Sequence, residues 1–420
     1  MKKYLHILLC ILTLFALSIA STHYTLPEHE EEKTEALKQC VKTIHSINPT
    51  DTLFDDLSFL KEKLKNIEVV MLGEQTHFDG ATFLAKARLI KYLHRELGFD
   101  VLVYEAGLYD MDRVWQELRN KPSKNISDFS KALYSFWYEH KENEDLLNYV
   151  LKNAGTEHEL ELAGLDVQFS GMIEKQEREA ALSRYLASRI PNDSLCFPSF
   201  FTLKKDYAYF ANKWSVYGYP DSRKDSILRD IQSIRKLLSQ NTQQSREDSS
   251  YIRFFQNMET LYGYAWKYDI GSDIRFHVRD SAMADNFIWL KEHRFDTRKV
   301  IVWAANMHTA YMNSCGDFTT MGEWIKKKYG DKVYSIQFTS YAHARNLSDS
   351  EKIYSNKTVE YLLHQLNAPY LYLDFDDTDS SSFLRGEIVM NCNQEMNLHA
   401  PWSKVADAVF YIDRMTGLTQ

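Results

Sequence analysis

"VVMLGEQTHFDGATFLAKARLIKYLHRELGFDVLVYEAG", residues 69–107, decides the fold class. An apolar run, read as a strand over 67–72, breaks at Gly73 and gives way to a segment where Phe83, Ala87, Ile90 and Leu93 share one helical face. Gly98 is the glycine that commonly ends such a helix. A second apolar run, "DVLVYEAG", follows at once. Strand, helix, strand in that order is the unit of a parallel sheet, because parallel neighbours need a crossover and a helix supplies it.

The unit recurs. A helical stretch over about 110–153 leads into "LELAGLDVQ", whose apolar run ends at Asp166. "KVIVWAANMH" gives another buried strand, "MGEWIKKKYG" a helix leading into the strand "KVYSIQFTS", and "LYLDFDD" and "AVFYIDR" two more strands. Residues of about 172–285 carry helical patterns with little strand signal, and Leu53, Leu57, Leu60 and Leu64 show helical spacing within 35–66. The expected fold is therefore α/β: a mostly parallel central sheet flanked by helices, with a helical cap or insertion over about 172–285 of a single domain spanning 35–420.

The 420 residues suffice for a sizeable core, and 44% hydrophobic with 26% charged residues is ordinary globular composition. Net charge is -8 and the basic residues are dispersed, which gives no nucleic-acid footprint. "MKKYLHILLCILTLFALSIA", residues 1–20, has the lysines, apolar run and small residues of a signal peptide cleaved near Ala20. It implies export to the periplasm or the extracellular space, with no stable membrane span after cleavage; a retained N-terminal anchor is the alternative. Residues 21–34 are polar and acidic and read as a flexible lead. Cys40, Cys196, Cys315 and Cys392 contain no CxxC pair and no metal signature.

The strands end alike. The first releases Glu74 and His77, the second Glu105, the third Asp166, and the strand near 300–303 releases Asn306 and His308. Open parallel sheets bind ligands beyond the carboxyl ends of their strands, so these residues are expected at one rim. Singly, each has a plainer use: Glu74 as a helix cap, His77 as a loop residue, Glu105 in an ion pair, Asp166 in a turn, Lys86 and Arg88 as exposed cations. Together they suit a water-activating hydrolase, in which a histidine paired with a carboxylate removes a proton from water near neutral pH. Neither G-x-S-x-G nor H-E-x-x-H occurs. A metal centre built from Glu74, His77, Glu105 and His308 is the alternative on residue types alone, although their spacing is no metal motif.

"GEQTHFDGATFLAKARLIKYL", "FDVLVYEAG", "GLDVQ", "RDSAMADN", "VWAANMH" and "AVFYIDR", in this order, resemble the erythromycin esterase family. The resemblance implies an α/β core with a helical cap and a deep cleft. It implies hydrolysis of a carboxylic ester or lactone, without metal or other cofactor, on a small-molecule substrate. By this likeness His77 is the general base, Glu74 and Glu105 orient base and water, and His308 is the second histidine of a W-x-H-N-x-H block. Lys86 matches the basic position two before the R-L pair and Arg88 is that pair's arginine; with Asp166 and Asn306 they are expected to contact substrate. Two positions depart from the pattern: Ala305 stands for the block's first histidine, and Phe78 for a glycine. An alanine side chain offers no hydrogen bond, so side-chain contacts made there to a macrolide are absent. The alternative is a non-catalytic metal- or ligand-binding member of the cell envelope.

Overall fold

The computed structural model describes residues 30–171, 175–190, 221–240, 244–269, 271–344, 352–353, 358–379, 382–393 and 396–420. The expected signal peptide, and the lead up to residue 29, lie outside the described residues. Eleven strands are formed by the described chain: β1 Val41–Thr43, β2 Val69–Leu72, β3 Phe99–Gly107, β4 Glu161–Asp166, β5 Lys299–Trp303, β6 Val333–Ala344, β7 Lys352–Ile353, β8 Tyr370–Asp374, β9 Ile388–Asn393, β10 Met396–Ala400 and β11 Ala408–Thr416. Nine make one sheet in the order β1-β8-β11-β6-β2-β5-β3-β4, with β7 on β6, while β9 and β10 form a separate hairpin. All pairs from β11 to β4 are parallel and the β1–β8–β11 edge is antiparallel. The mostly parallel sheet expected from the sequence is what is found.

Alternate residues of each central strand serve opposite faces, as the pleat requires. Val70, Leu72, Leu102, Tyr104, Ile301 and Trp303 join one core with the Gly80–Leu97 helix. Val69, Met71, Val101, Val103, Val300 and Val302 join another with the helices Asp273–His293 and Met321–Tyr329. Burial on both faces explains why these strands read as unbroken apolar runs. The helices Lys175–Arg189, Asp221–Ser239 and Arg246–Lys267 contribute a third apolar cluster, which includes Ile227, Ile231, Ile234, Phe254 and Phe255.

Three local readings are corrected. Residues 35–66 hold only a 3-10 turn, Asp55–Leu57, and a one-turn helix, Leu60–Lys63, after β1. Polar side chains capture the backbone there: Asn48 accepts from the Thr50 N–H at 3.0 Å and Asp51 from the Leu53 N–H at 3.0 Å. Such bonds compete with a helix, and Leu53 is left 74% exposed. The Glu30–Cys40 helix starts inside the stretch expected as a flexible lead, with Glu30, Glu31 and Glu32 in its first turn, where acids favour a helix. The stretch over 110–153 is also broken, into Leu108–Asn120, Ile126–Lys131, Ser135–Tyr138 and Lys141–Asn153.

Candidate active site

Register brings the strand exits together. Leu72 pairs with Trp303, Trp303 with Tyr104, and Tyr104 with Gly164, so one rung of the sheet precedes all four exits. Beyond β2 the chain turns at Gly73, where a Cβ would lie 2.0 Å from Asn306 Oδ1; only glycine fits against the short Asn306–Thr309 helix. The Asn306 N–H then donates to the Glu74 carbonyl at 2.8 Å, tying the β2 and β5 exits.

Glu74 is fully buried and its carboxylate has three partners. Oε1 lies 2.7 Å from His77 Nδ1, while Oε2 accepts from Lys86 Nζ at 2.8 Å and Trp303 Nε1 at 2.6 Å. An ionised carboxylate can only accept, so the His77 proton sits on Nδ1 and the Nε2 lone pair faces away from Glu74. The imidazole stacks on Phe136, with centroids 4.7 Å apart and planes at 9°, and meets Trp137 edge-on at 6.0 Å. Its side chain stays 32% exposed. Burial opposes protonation of His77, but the Glu74 hydrogen bond and the Glu105 and Glu74 charges outweigh it and raise the pKa. Burial brings Lys86 down to about 8 against the pull of Glu74, so it remains a cation at neutral pH.

The second group surrounds Arg279. Its guanidinium donates to Asp166 Oδ2 at 2.5 Å and to Glu105 Oε1 at 2.9 Å, and its Nη1 lies 3.1 Å from His308 Nε2. Glu105 Oε2 accepts the Ala305 N–H at 2.9 Å. His308 is held between Asp280 Oδ1, 2.8 Å from Nδ1, and Glu105 Oε1, 3.3 Å from Nε2. Glu105 and Asp166 on Arg279, with Asp280 on His308, make three carboxylates against one guanidinium, and this excess of negative charge favours a charged imidazole even with Arg279 Nη1 beside Nε2. Burial alone would lower the His308 pKa, yet Asp280 and Glu105 lift it to about 10. Glu105 shows the converse: burial would raise it, but His308, Arg279 and His77 hold it well below the usual range. The two groups therefore feel each other, since Glu105 and His308 both bias the proton on His77.

A stability prediction follows from the sign of the His308 shift. The folded state holds a proton up to about pH 10 that the unfolded chain releases near 6.5, so its stabilisation is complete below pH 6.5 and is lost as pH climbs through 10. Lys86, brought down to about 8, works in the opposite sense above that pH, so the His308 slope is read below it. Urea midpoints measured from pH 6 to pH 8 should fall, and His308→Gln should flatten that slope; equal slopes in both proteins would place the titration elsewhere.

Glu74, His77, Glu105, Asp166 and His308 thus stand at one rim, but the residues expected to contact substrate are committed otherwise. Arg88 lies against Asp56, with bonds of 2.8 and 3.0 Å, and the Ser46 and Leu53 carbonyls, on the far side of its helix from the Glu74–Lys86 pair. Asn306 clamps the backbone of Phe338 in both directions and donates to the Cys392 carbonyl. Lys86 and Asp166 are spent on Glu74 and Arg279. Glu74 does not cap the following helix; Asp79 occupies that position. The sequence reading assigned no role to Arg279, Asp280, Trp303 or Phe136. A signal existed for Asp280, since Asp280, Ala284, Phe287 and Lys291 share one helical stripe, which placed charges on an apolar face. Among the described residues no group of three or more His, Cys, Asp or Glu side chains is arranged to hold a metal ion. Surface cavities of about 680 and 760 Å³ lie elsewhere, lined by Tyr109 and Arg184 and by His94 and Lys152 among others, and contain none of the five.

The sequence model of erythromycin esterase matches residues 94–414, about three quarters of the chain. The chain belongs to the erythromycin esterase family. The match starts inside the Gly80–Leu97 helix, so Glu74 and His77 precede it, and the fold is what joins them to the residues within it. YbfO of Bacillus subtilis, named a putative hydrolase, is 24% identical over 76% of this chain and 77% of its own. Erythromycin esterase type II of Escherichia coli is 21% identical over 70% and 74%. The crystal structure of a variant of erythromycin esterase EreC in its open conformation superposes with a TM-score of 0.64 at 15% identity, covering 89% of this chain and 98% of that one. The fold of this family member is thus that of the erythromycin esterases, and family and relatives make it a hydrolase in the general sense.

Proposed function

We propose that this family member hydrolyses a carboxylic ester or lactone with water as nucleophile and His77 as general base. The observation that carries the reading is the 2.7 Å contact between Glu74 and the Nδ1 of a partly exposed His77. Nε2 takes a proton from water as the water oxygen bonds to the carbonyl carbon. Glu74 stabilises the imidazolium so formed. When the tetrahedral oxyanion collapses, the bond to the alcohol oxygen breaks and Nε2 returns the proton to it, leaving a carboxylic acid and an alcohol. Lys86 and Trp303 hold Glu74 in place, and Arg279 and His308 hold Glu105. The carboxylates already have cationic partners, which supports a reaction without metal. The leader sequence of residues 1–20 supports export.

The test is a mass-spectrometric screen of the purified protein against simple esters, acyl sugars and macrolides, with and without chelator. Addition of one water to at least one ester, unchanged by chelator, is expected; no product across the panel, or loss with chelator, overturns the reading. Macrolides belong in the panel because a relative is named for erythromycin, while Ala305 lacks the imidazole of the family block. The pH profile is a second check. Because Glu74 raises the His77 pKa, the acid limb of kcat/KM should lie above pH 6.5, and Glu74→Gln should move it down. An unmoved limb would uncouple the pair from catalysis.

A further inference from the structure

We infer that Phe78, with Phe136 behind it, is a specificity-determining aromatic shelf that selects esters carrying a planar ring close to the carbonyl. The inference rests on the hydrolytic reading of His77. Phe78 follows the base directly and is 57% exposed, which leaves much of its apolar surface in water. A lone exposed apolar residue needs no explanation. This one is part of a series: Phe78 meets Phe136 edge-on at 6.2 Å, and Phe136 stacks on both the His77 imidazole at 4.7 Å and Tyr134 at 5.4 Å.

The loop that presents Phe78 is well tied. Asp79 is buried and accepts from the Thr76 N–H and Oγ1, both at 2.9 Å, while Phe78 N–H donates to Thr76 Oγ1 at 3.3 Å. The Asp79 carbonyl accepts the Phe83 N–H at 3.0 Å, which joins the loop to the first turn of the helix. The phenyl ring is therefore held in solvent beside the base by a braced turn. An aromatic ring offers a planar ligand ring offset-stacked or edge-to-face contact beyond simple area burial. Because Phe136 touches both the imidazole and Phe78, a ligand ring laid on Phe78 lies one side chain away from the base.

The experiment compares methyl benzoate and benzyl acetate with methyl butyrate and butyl acetate, each kcat/KM being normalised to the rate of hydroxide hydrolysis. At least one ring ester should be favoured by about tenfold, the size of a good aromatic contact with its buried area; the better of the two shows whether the ring sits on the acyl or the alcohol side. In Phe78→Ala the ring-to-alkyl ratio should fall by about tenfold, chiefly through KM, and Phe78→Tyr should restore it. A wild-type ratio near one, or a ratio unmoved by Phe78→Ala, overturns the shelf while hydrolysis stands. Calorimetric binding of benzoate against butyrate judges the shelf independently of turnover. Tighter benzoate binding that Phe78→Ala weakens supports it even if no ester is cleaved, which would overturn the hydrolytic reading alone. Equal binding of the two acids rejects the shelf.

Discussion

His77→Ala is expected to reduce ester hydrolysis by about 10³-fold, within the range a positioned general base contributes. The loss should fall on kcat, because the imidazole acts on the water proton rather than on the resting substrate. The fold should survive. The ring is one-third exposed against Phe136, and the buried Glu74 keeps Lys86 and Trp303 on its other oxygen. Circular dichroism and thermal unfolding should therefore resemble the wild type, and added imidazole should recover part of the rate by entering the vacated space. Turnover retained at the wild-type level in a folded His77→Ala protein would remove His77 from the mechanism.

Arg279→Met is expected to destabilise the protein by about 3–5 kcal/mol, the cost of stripping one partner from a buried ion pair. Arg279 is the cation shared by Asp166 and Glu105, both almost wholly buried, and methionine fills part of its volume without its charge. The two carboxylates would then face each other with His308 as the remaining cation in contact with Glu105. Urea unfolding measures the loss, and adding Asp166→Asn to the same chain should recover part of it by removing one stranded charge. A change below about 1 kcal/mol would show that water, rather than Arg279, compensates these acids.

Much of the fold was legible because its signals are local. Apolar runs, the 3.6-residue spacing of Phe83, Ala87, Ile90 and Leu93, and the breaks at Gly73 and Gly98 are properties of short stretches. At Gly98 the backbone takes a φ of 72°, which explains the glycine directly. Over 35–66 the leucine spacing is a helical signal, but Asn48 and Asp51 capture backbone N–H groups two residues on and hold the chain in turns instead. The site was half legible. A strand end announces that a polar residue is delivered to the rim, but not what that residue will meet there, so Asn306 reads the same whether it faces a substrate or clamps β6.

From the chain alone came the parallel α/β architecture and the pairing of Glu74 with His77, since three residues of backbone keep those side chains within reach of each other. Tertiary structure decided the rest. Arg279 reaches Glu105 across 174 positions of sequence, Trp303 reaches Glu74 across 229, and Phe136 comes under His77 from the short Ser135–Tyr138 helix, past β3 and two intervening α-helices. Those meetings depend on β3 lying between β5 and β4, and on which helix face covers them. Strand order and packing are set by the burial of both sheet faces at once, a condition on the whole chain that no short stretch records.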